Sequence, residues 1–141
     1  MPAKKPPAPV APKTPESEKI TINMGFVDLG NIDLLVAEGF YSNRTDFIRT
    51  AIRTHLAQHA DVLRQAVSRK MLVLGLQSFS VEDLEAVRAA GETLQIRVLG
   101  LAVIAPDVPP ALAAATIESL TVLGALHASP AVKAALAGRI R

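Results

Sequence analysis

Among all segments of the chain, Lys19-Ile20-Thr21-Ile22-Asn23-Met24 most constrains the fold. Ile20, Ile22 and Met24 fall on one side and Lys19, Thr21 and Asn23 on the other, the period-2 pattern of a half-buried strand. A strand this short cannot stand alone, and its outward face is polar rather than inert. The pattern suits a strand that pairs with a second copy of itself and lays the shared ribbon against a surface with hydrogen-bonding edges.

Helical periodicity follows. Leu29, Ile32, Leu35 and Val36 recur at helical spacing, and Gly39 offers the left-handed position that ends such a helix. Gly25-Phe26 stands where a polar cap is expected, which places the helix start near Asp28. Gly30 inside it costs about 1 kcal/mol relative to Ala, pointing to close packing or a weak helix. Asn43 is a good N-cap for the next helix, with Asp46 three residues on in an imperfect capping-box arrangement. Phe47, Ile48, Ala51, Ile52, Leu56, Leu63 and Val67 hold one face, so this helix is expected to run to about residue 68.

From Met71 onward the chain repeats itself. Val73-Leu74-Gly75-Leu76, Val98-Leu99-Gly100-Leu101 and Val122-Leu123-Gly124-Ala125 are spaced by 25 and 24 residues. Five residues after each Gly comes Ser80, Ala105 or Ser129, followed by Val81, Pro106 or Pro130, which suits a helix start. Each unit reads as a short apolar strand, a tight Gly exit and a short helix. Strand-plus-helix units of this length mark a small α/β solenoid; a compact βαβαβα unit is the alternative.

The expected fold is thus mixed α/β in three parts: a Pro/Lys-rich arm (1–17), a strand-helix-helix domain (18–69) and a strand-helix repeat domain (70–141) acting as an oligomerisation or effector module. The arm holds six of the ten prolines together with Lys4, Lys5 and Lys13, too little apolar surface to offset ordering entropy. It suits either phosphate contact or a solubilising tail. The longest apolar stretch, Val98 to Ala105, stops at Pro106-Asp107, well short of the roughly 20 residues of a spanning helix. No secretory signal and no membrane partner are expected, and the absence of cysteine is compatible with a cytoplasmic location. Up to Lys70 there are ten Lys/Arg against seven Asp/Glu, and beyond it five against six. That mild excess means any nucleic-acid contact must rest on placed groups, not on a strong field.

The strand-helix-helix order, with Gly39-Phe40-Tyr41-Ser42-Asn43-Arg44-Thr45-Asp46-Phe47-Ile48-Arg49-Thr50-Ala51-Ile52, resembles the ribbon-helix-helix regulators of the Arc/MetJ/CopG type. The resemblance covers residues 19 to about 58. It implies an intertwined homodimer whose antiparallel two-stranded ribbon enters the major groove of double-stranded DNA. On that footing Lys19, Thr21 and Asn23 are the base-reading positions. Ser42, Asn43, Arg44 and Thr45, at a helix N-terminus, form the phosphate seat. Ile20, Ile22, Met24, Ile32, Phe47, Ile48 and Ile52 are the expected dimer core.

Other chemistries find little support. His55 and His59 lie four apart, but with no Cys and only His127 elsewhere a metal site is not expected. No Gly-rich phosphate loop is present, and no catalytic residue or cofactor is expected. The leading expectation is a dimeric, sequence-specific DNA-binding transcriptional repressor, able to assemble further. An antitoxin of a toxin–antitoxin pair and a self-assembling scaffold protein are the alternatives.

Overall fold

A computed structural model describes residues 17–141, so the expected N-terminal arm lies outside it except for Ser17. Six helices and three strands follow in order: α1 (Phe26–Ala37), α2 (Arg44–Gln58), α3 (Ala60–Arg69), β1 (Val73–Phe79), α4 (Val81–Ala89), β2 (Leu94–Ile104), α5 (Pro110–Thr116), β3 (Ile117–His127) and α6 (Pro130–Ala135).

Four sequence expectations about these elements need correction. First, α1 starts at Phe26 and not near Asp28: extended Gly25 is its N-cap without any side-chain bond, and the Gly25 carbonyl accepts from the Leu29 N–H. Second, Gly30 has open space around it, so close packing is not the reason for that glycine. Third, the helix expected to run to about residue 68 breaks at His59 (φ −103°, ψ 13°). The His59 N–H there bonds Leu56, three residues back, and the chain resumes as α3. Fourth, the second repeat starts its helix at Pro110 behind Pro109, not at Pro106, whereas Ser80 and Ser129 cap α4 and α6 as expected. Ser80 and Asp83 form a reciprocal capping box, and the Asp83 carboxyl is held below the usual carboxylate range by the Ser80 N–H and hydroxyl.

The three strands form one parallel sheet in the order β1-β2-β3. Their register superposes the three tetrapeptides: Val73, Val98 and Val122 are neighbours across the ladder, as are Gly75, Gly100 and Gly124. The glycines do not exit short strands, as expected, but sit inside longer ones. All three take positive φ (106°, 137° and 125°). A Cβ on Gly100 would fall on the backbone carbonyl of Gly75, and one on Gly124 on that of Gly100. Only glycine lets three strands carry this kink and still stack in register.

One face of the sheet is covered. Ile96, Val98, Ala102 and Ile104 of β2 and Ile117 and Leu120 of β3 are buried with Leu84 of α4, Leu112 and Ala113 of α5, Val132 of α6 and Leu136 just after it. Burial at alternate residues of β2 shows that α4, α5 and α6 lie on one side. The one buried polar side chain of this core, Thr116, is satisfied by donating its hydroxyl to the Leu112 carbonyl at 2.7 Å. The opposite face, with Leu74, Leu76, Leu99, Leu101, Val103, Leu123 and Ala125, is exposed or half-buried.

Helix ends feed the strands in a repeated way. After α4, Gly91 (φ 67°) turns the chain with bonds from the N–H groups of Gly91 to Arg88 and of Glu92 to Val87. After α3, Met71 (φ 55°) does the same, with bonds from Met71 to Ser68 and from Leu72 to Val67. Met71 is the only non-glycine residue with positive φ among the described residues, and its side chain is exposed. Left-handed backbone costs a residue with a Cβ about 1–2 kcal/mol, and glycine gives back part of that gain as unfolded-state entropy. Met71→Gly is therefore expected to stabilise the fold by about 0.5–1 kcal/mol, read from the midpoint of urea unfolding.

Candidate nucleic-acid interface

The expected strand at 19–24 is not formed in the single chain: residues 18–25 have no regular secondary structure and pair with no strand among the described residues. Lys19, Thr21 and Asn23 are exposed, as base-reading groups must be, yet so are the residues expected to face inward. Ile20 is 76% and Ile22 65% exposed, while Met24 is partly covered. A single chain thus leaves both faces of this segment uncovered.

The helical hairpin behind it is partly closed. Ile32 of α1 is buried, and Leu29, Leu35, Val36, Phe47 and Ile48 are half-buried where α1 meets α2. Gly39 (φ 86°) turns the chain as expected: its N–H bonds Val36 and the Phe40 N–H bonds Leu35. Tyr41 meets the Phe47 ring edge-on at 5.0 Å. Ile52, expected in the dimer core, is half exposed. Of the expected core positions, then, Ile32 is buried, Met24, Phe47 and Ile48 are half-buried, and Ile20, Ile22 and Ile52 are exposed in the single chain.

At the start of α2 the Asn43 side chain accepts from the Asp46 N–H at 2.8 Å. The Asp46 carboxylate accepts from the Ser42 N–H at 3.0 Å, so the reciprocal bond reaches one residue further back than a standard capping box. These two bonds remove Ser42 and Asp46 as free amide donors. Arg44 and Thr45, the first two residues of the helix, keep N–H groups with no partner among the described residues. They point from a positive dipole end, suited to a phosphate oxygen.

The Arg44 side chain is differently committed. Its Nε and one terminal nitrogen bond the two carboxylate oxygens of Asp33, each at 2.7 Å, tying α2 to α1. The sequence reading missed Asp33, because a pairing across a helical hairpin leaves no local spacing signal. The fork leaves one guanidinium nitrogen without a partner among the described residues and places a carboxylate against the charge of Arg44. Arg49 and Arg53 remain exposed along α2.

The Arg44 hydrogen bond holds the Asp33 carboxyl below the usual carboxylate range, against a small opposing effect of desolvation and with the help of charge attraction. The same pair raises Arg44. A depressed folded-state value means the carboxylate binds its proton less readily when folded. Its stabilising contribution is therefore complete above the ordinary aspartate range and is lost as pH falls through the depressed value. Carboxyl NMR titration is expected to give Asp33 a midpoint below that of an ordinary aspartate, returning to normal in Arg44→Ala.

His55 and His59 meet edge-to-face at 5.3 Å, and no cluster of three potential ligands occurs among the described residues. No helix among them is long and apolar enough to cross a membrane.

Comparison with curated proteins and with solved structures gives no match. A family profile described as the ribbon-helix-helix transcriptional regulator family matches residues 15–133. The match reaches far beyond the segment of resemblance, residues 19 to about 58, and takes in all three strands and α4 and α5. Since it spans most of the sequence, the chain belongs to the ribbon-helix-helix transcriptional regulator family.

Proposed function

We propose that the protein is a homodimeric, sequence-specific DNA-binding repressor whose paired residues 19–24 form an antiparallel ribbon in the major groove. The observation that carries this reading is the double exposure of that segment. Its apolar side, led by Ile20 and Ile22, is too exposed for a finished structure, and its polar side offers Lys19, Thr21 and Asn23. Pairing with a second chain satisfies the backbone and buries the isoleucines. Met24, Ile32, Phe47, Ile48 and Ile52 of both chains complete the shared core. Asn suits the edge of adenine, Thr several edges or a thymine methyl, and Lys guanine or phosphate. The amides of Arg44 and Thr45, with the Ser42–Asn43 turn, seat a backbone phosphate and fix the ribbon's register. The repeat segment, a short strand-helix solenoid, joins such dimers.

The antitoxin reading is less well supported. It requires a polar C-terminal region folded by its toxin, whereas here that region closes a core around Leu84, Val98, Leu112, Leu120 and Val132 on its own. The scaffold reading draws on the uncovered sheet face and is separated from the repressor reading by DNA affinity.

The test is in vitro selection from fragmented genomic DNA, comparing wild type with Thr21→Ala/Asn23→Ala. Enrichment of one short motif by wild type alone, with dimerisation retained in both, is the expected result. No enrichment by either protein overturns the DNA-binding reading.

A further inference from the structure

The two outer strands of the sheet end differently. Beyond β3 the chain's own last residues close the start of the edge: the Leu120 N–H bonds the Arg139 carbonyl at 3.0 Å, and the Arg141 N–H bonds the Leu120 carbonyl at 2.9 Å. Arg139 is fixed there by donating to the carbonyls of Ala114 and Ile117. Two arginines at this edge discourage a further strand. Beyond β1 nothing comparable exists among the described residues: no strand pairs with its outer edge.

β1 also lacks the features that blunt an edge. Met71 through Ser80 contain no charged residue and no proline. Leu74 and Leu76 are 65% and 63% exposed on the open face. On the other face, Met71, Val73, Gln77 and Phe79 line a depression of about 400 Å³ together with Leu94, Gln95, Ile96 and Arg97 of β2. An open row of backbone donors and acceptors, with exposed Leu74 and Leu76 on one side, is a template for another strand. Residues 139–141 cover the start of the β3 edge at Leu120, so β1 is the more open of the two edges and a contact between copies can use it twice. Such a contact is antiparallel, two-fold and self-closing. Met71 through Ser80 themselves carry no charge that would repel a second copy of β1.

We propose that β1 pairs with β1 of a second copy, making a continuous six-stranded sheet; on the ribbon-dimer reading above, two such seams join two dimers into a closed tetramer. Leu74 and Leu76 of both copies then form one apolar strip along the seam. This contact depends on neither DNA nor the ribbon, so its failure and that of the DNA-binding reading are separable.

The test uses the full chain. Sedimentation analysis is expected to show that Leu74→Lys/Leu76→Lys halves the particle mass of wild type while leaving the circular dichroism spectrum unchanged. Both side chains are already in solvent, so the lysines add charge to the seam without entering the core. The cysteine-free background allows a second measurement. Leu76→Cys, at the middle of β1, is expected to form a covalent dimer under mild oxidation, whereas Lys133→Cys on α6 is not. An unchanged mass in the lysine variant overturns the joining of dimers. Equal cross-linking by the two cysteine variants overturns the pairing of β1 with itself. Thr21→Ala/Asn23→Ala, expected to lose its operator, should keep the wild-type mass.

Discussion

Gly100→Ala is expected to remove the cooperative unfolding transition of the sheet region or to lower its midpoint by more than about 15 °C, corresponding to a loss above roughly 4 kcal/mol. Two costs combine. The backbone at this position has φ 137°, where a side chain is strained by about 1–3 kcal/mol. In addition, the new methyl group would occupy the place of the Gly75 carbonyl, a backbone atom of a paired strand that cannot move without breaking the ladder. Gly124→Ala meets the same obstacle in the Gly100 carbonyl. Gly75→Ala is the informative control, since it keeps the strained φ of 106° but meets no atom within 4 Å. It is expected to cost only the conformational part, about 1–3 kcal/mol. Thermal denaturation of the three variants checks the order: equal losses would show that backbone conformation alone, and not the stacked carbonyls, demands glycine.

Thr21→Ala/Asn23→Ala is expected to lower affinity for the selected operator by at least about 100-fold. A well-placed side chain to a base edge is worth about 1–3 kcal/mol, and a dimer presents each position twice. Both residues are exposed, so the change should leave folding and dimerisation intact. No charge is removed, so binding to unrelated DNA and the dependence of affinity on salt should stay as in wild type. Lys19→Ala is expected to behave differently, with a shallower salt dependence if its ammonium meets a phosphate. Fluorescence anisotropy over a salt series separates these outcomes. An equal fall in operator and non-specific affinity for the Thr21/Asn23 variant would show that the ribbon does not read bases.

Much of the local structure was legible along the chain because short-range chemistry sets it. Gly39 reads as a helix stop since few other residues take its φ of 86° cheaply. Asn43, Ser80 and Ser129 read as caps since each side chain bonds an amide three residues on. What misled was equally local in origin. Proline after a small residue suggested a helix start at Ala105-Pro106, but the true start is the later Pro109-Pro110 pair, after a loop in which Val108 is drawn into the core. The apolar period through Leu56, Leu63 and Val67 suggested one helix, and no proline or glycine warns of the break at His59.

By itself the sequence determined the alternation of Ile20 to Met24, the caps and turns, and a repeat period of 24–25 residues, because each depends on side-chain type at fixed spacing. Tertiary structure alone decided where those pieces meet. It paired Arg44 with Asp33 across the α1–α2 hairpin, a contact that no local spacing in the sequence signals. It also placed Gly75, Gly100 and Gly124 side by side inside a parallel ladder, where each successive backbone fills the space a side chain would need. Finally, it covered the start of the β3 edge, at Leu120, with residues 139–141 and left the outer side of β1 without a partner strand among the described residues, an asymmetry that the order of the strands in the sheet creates.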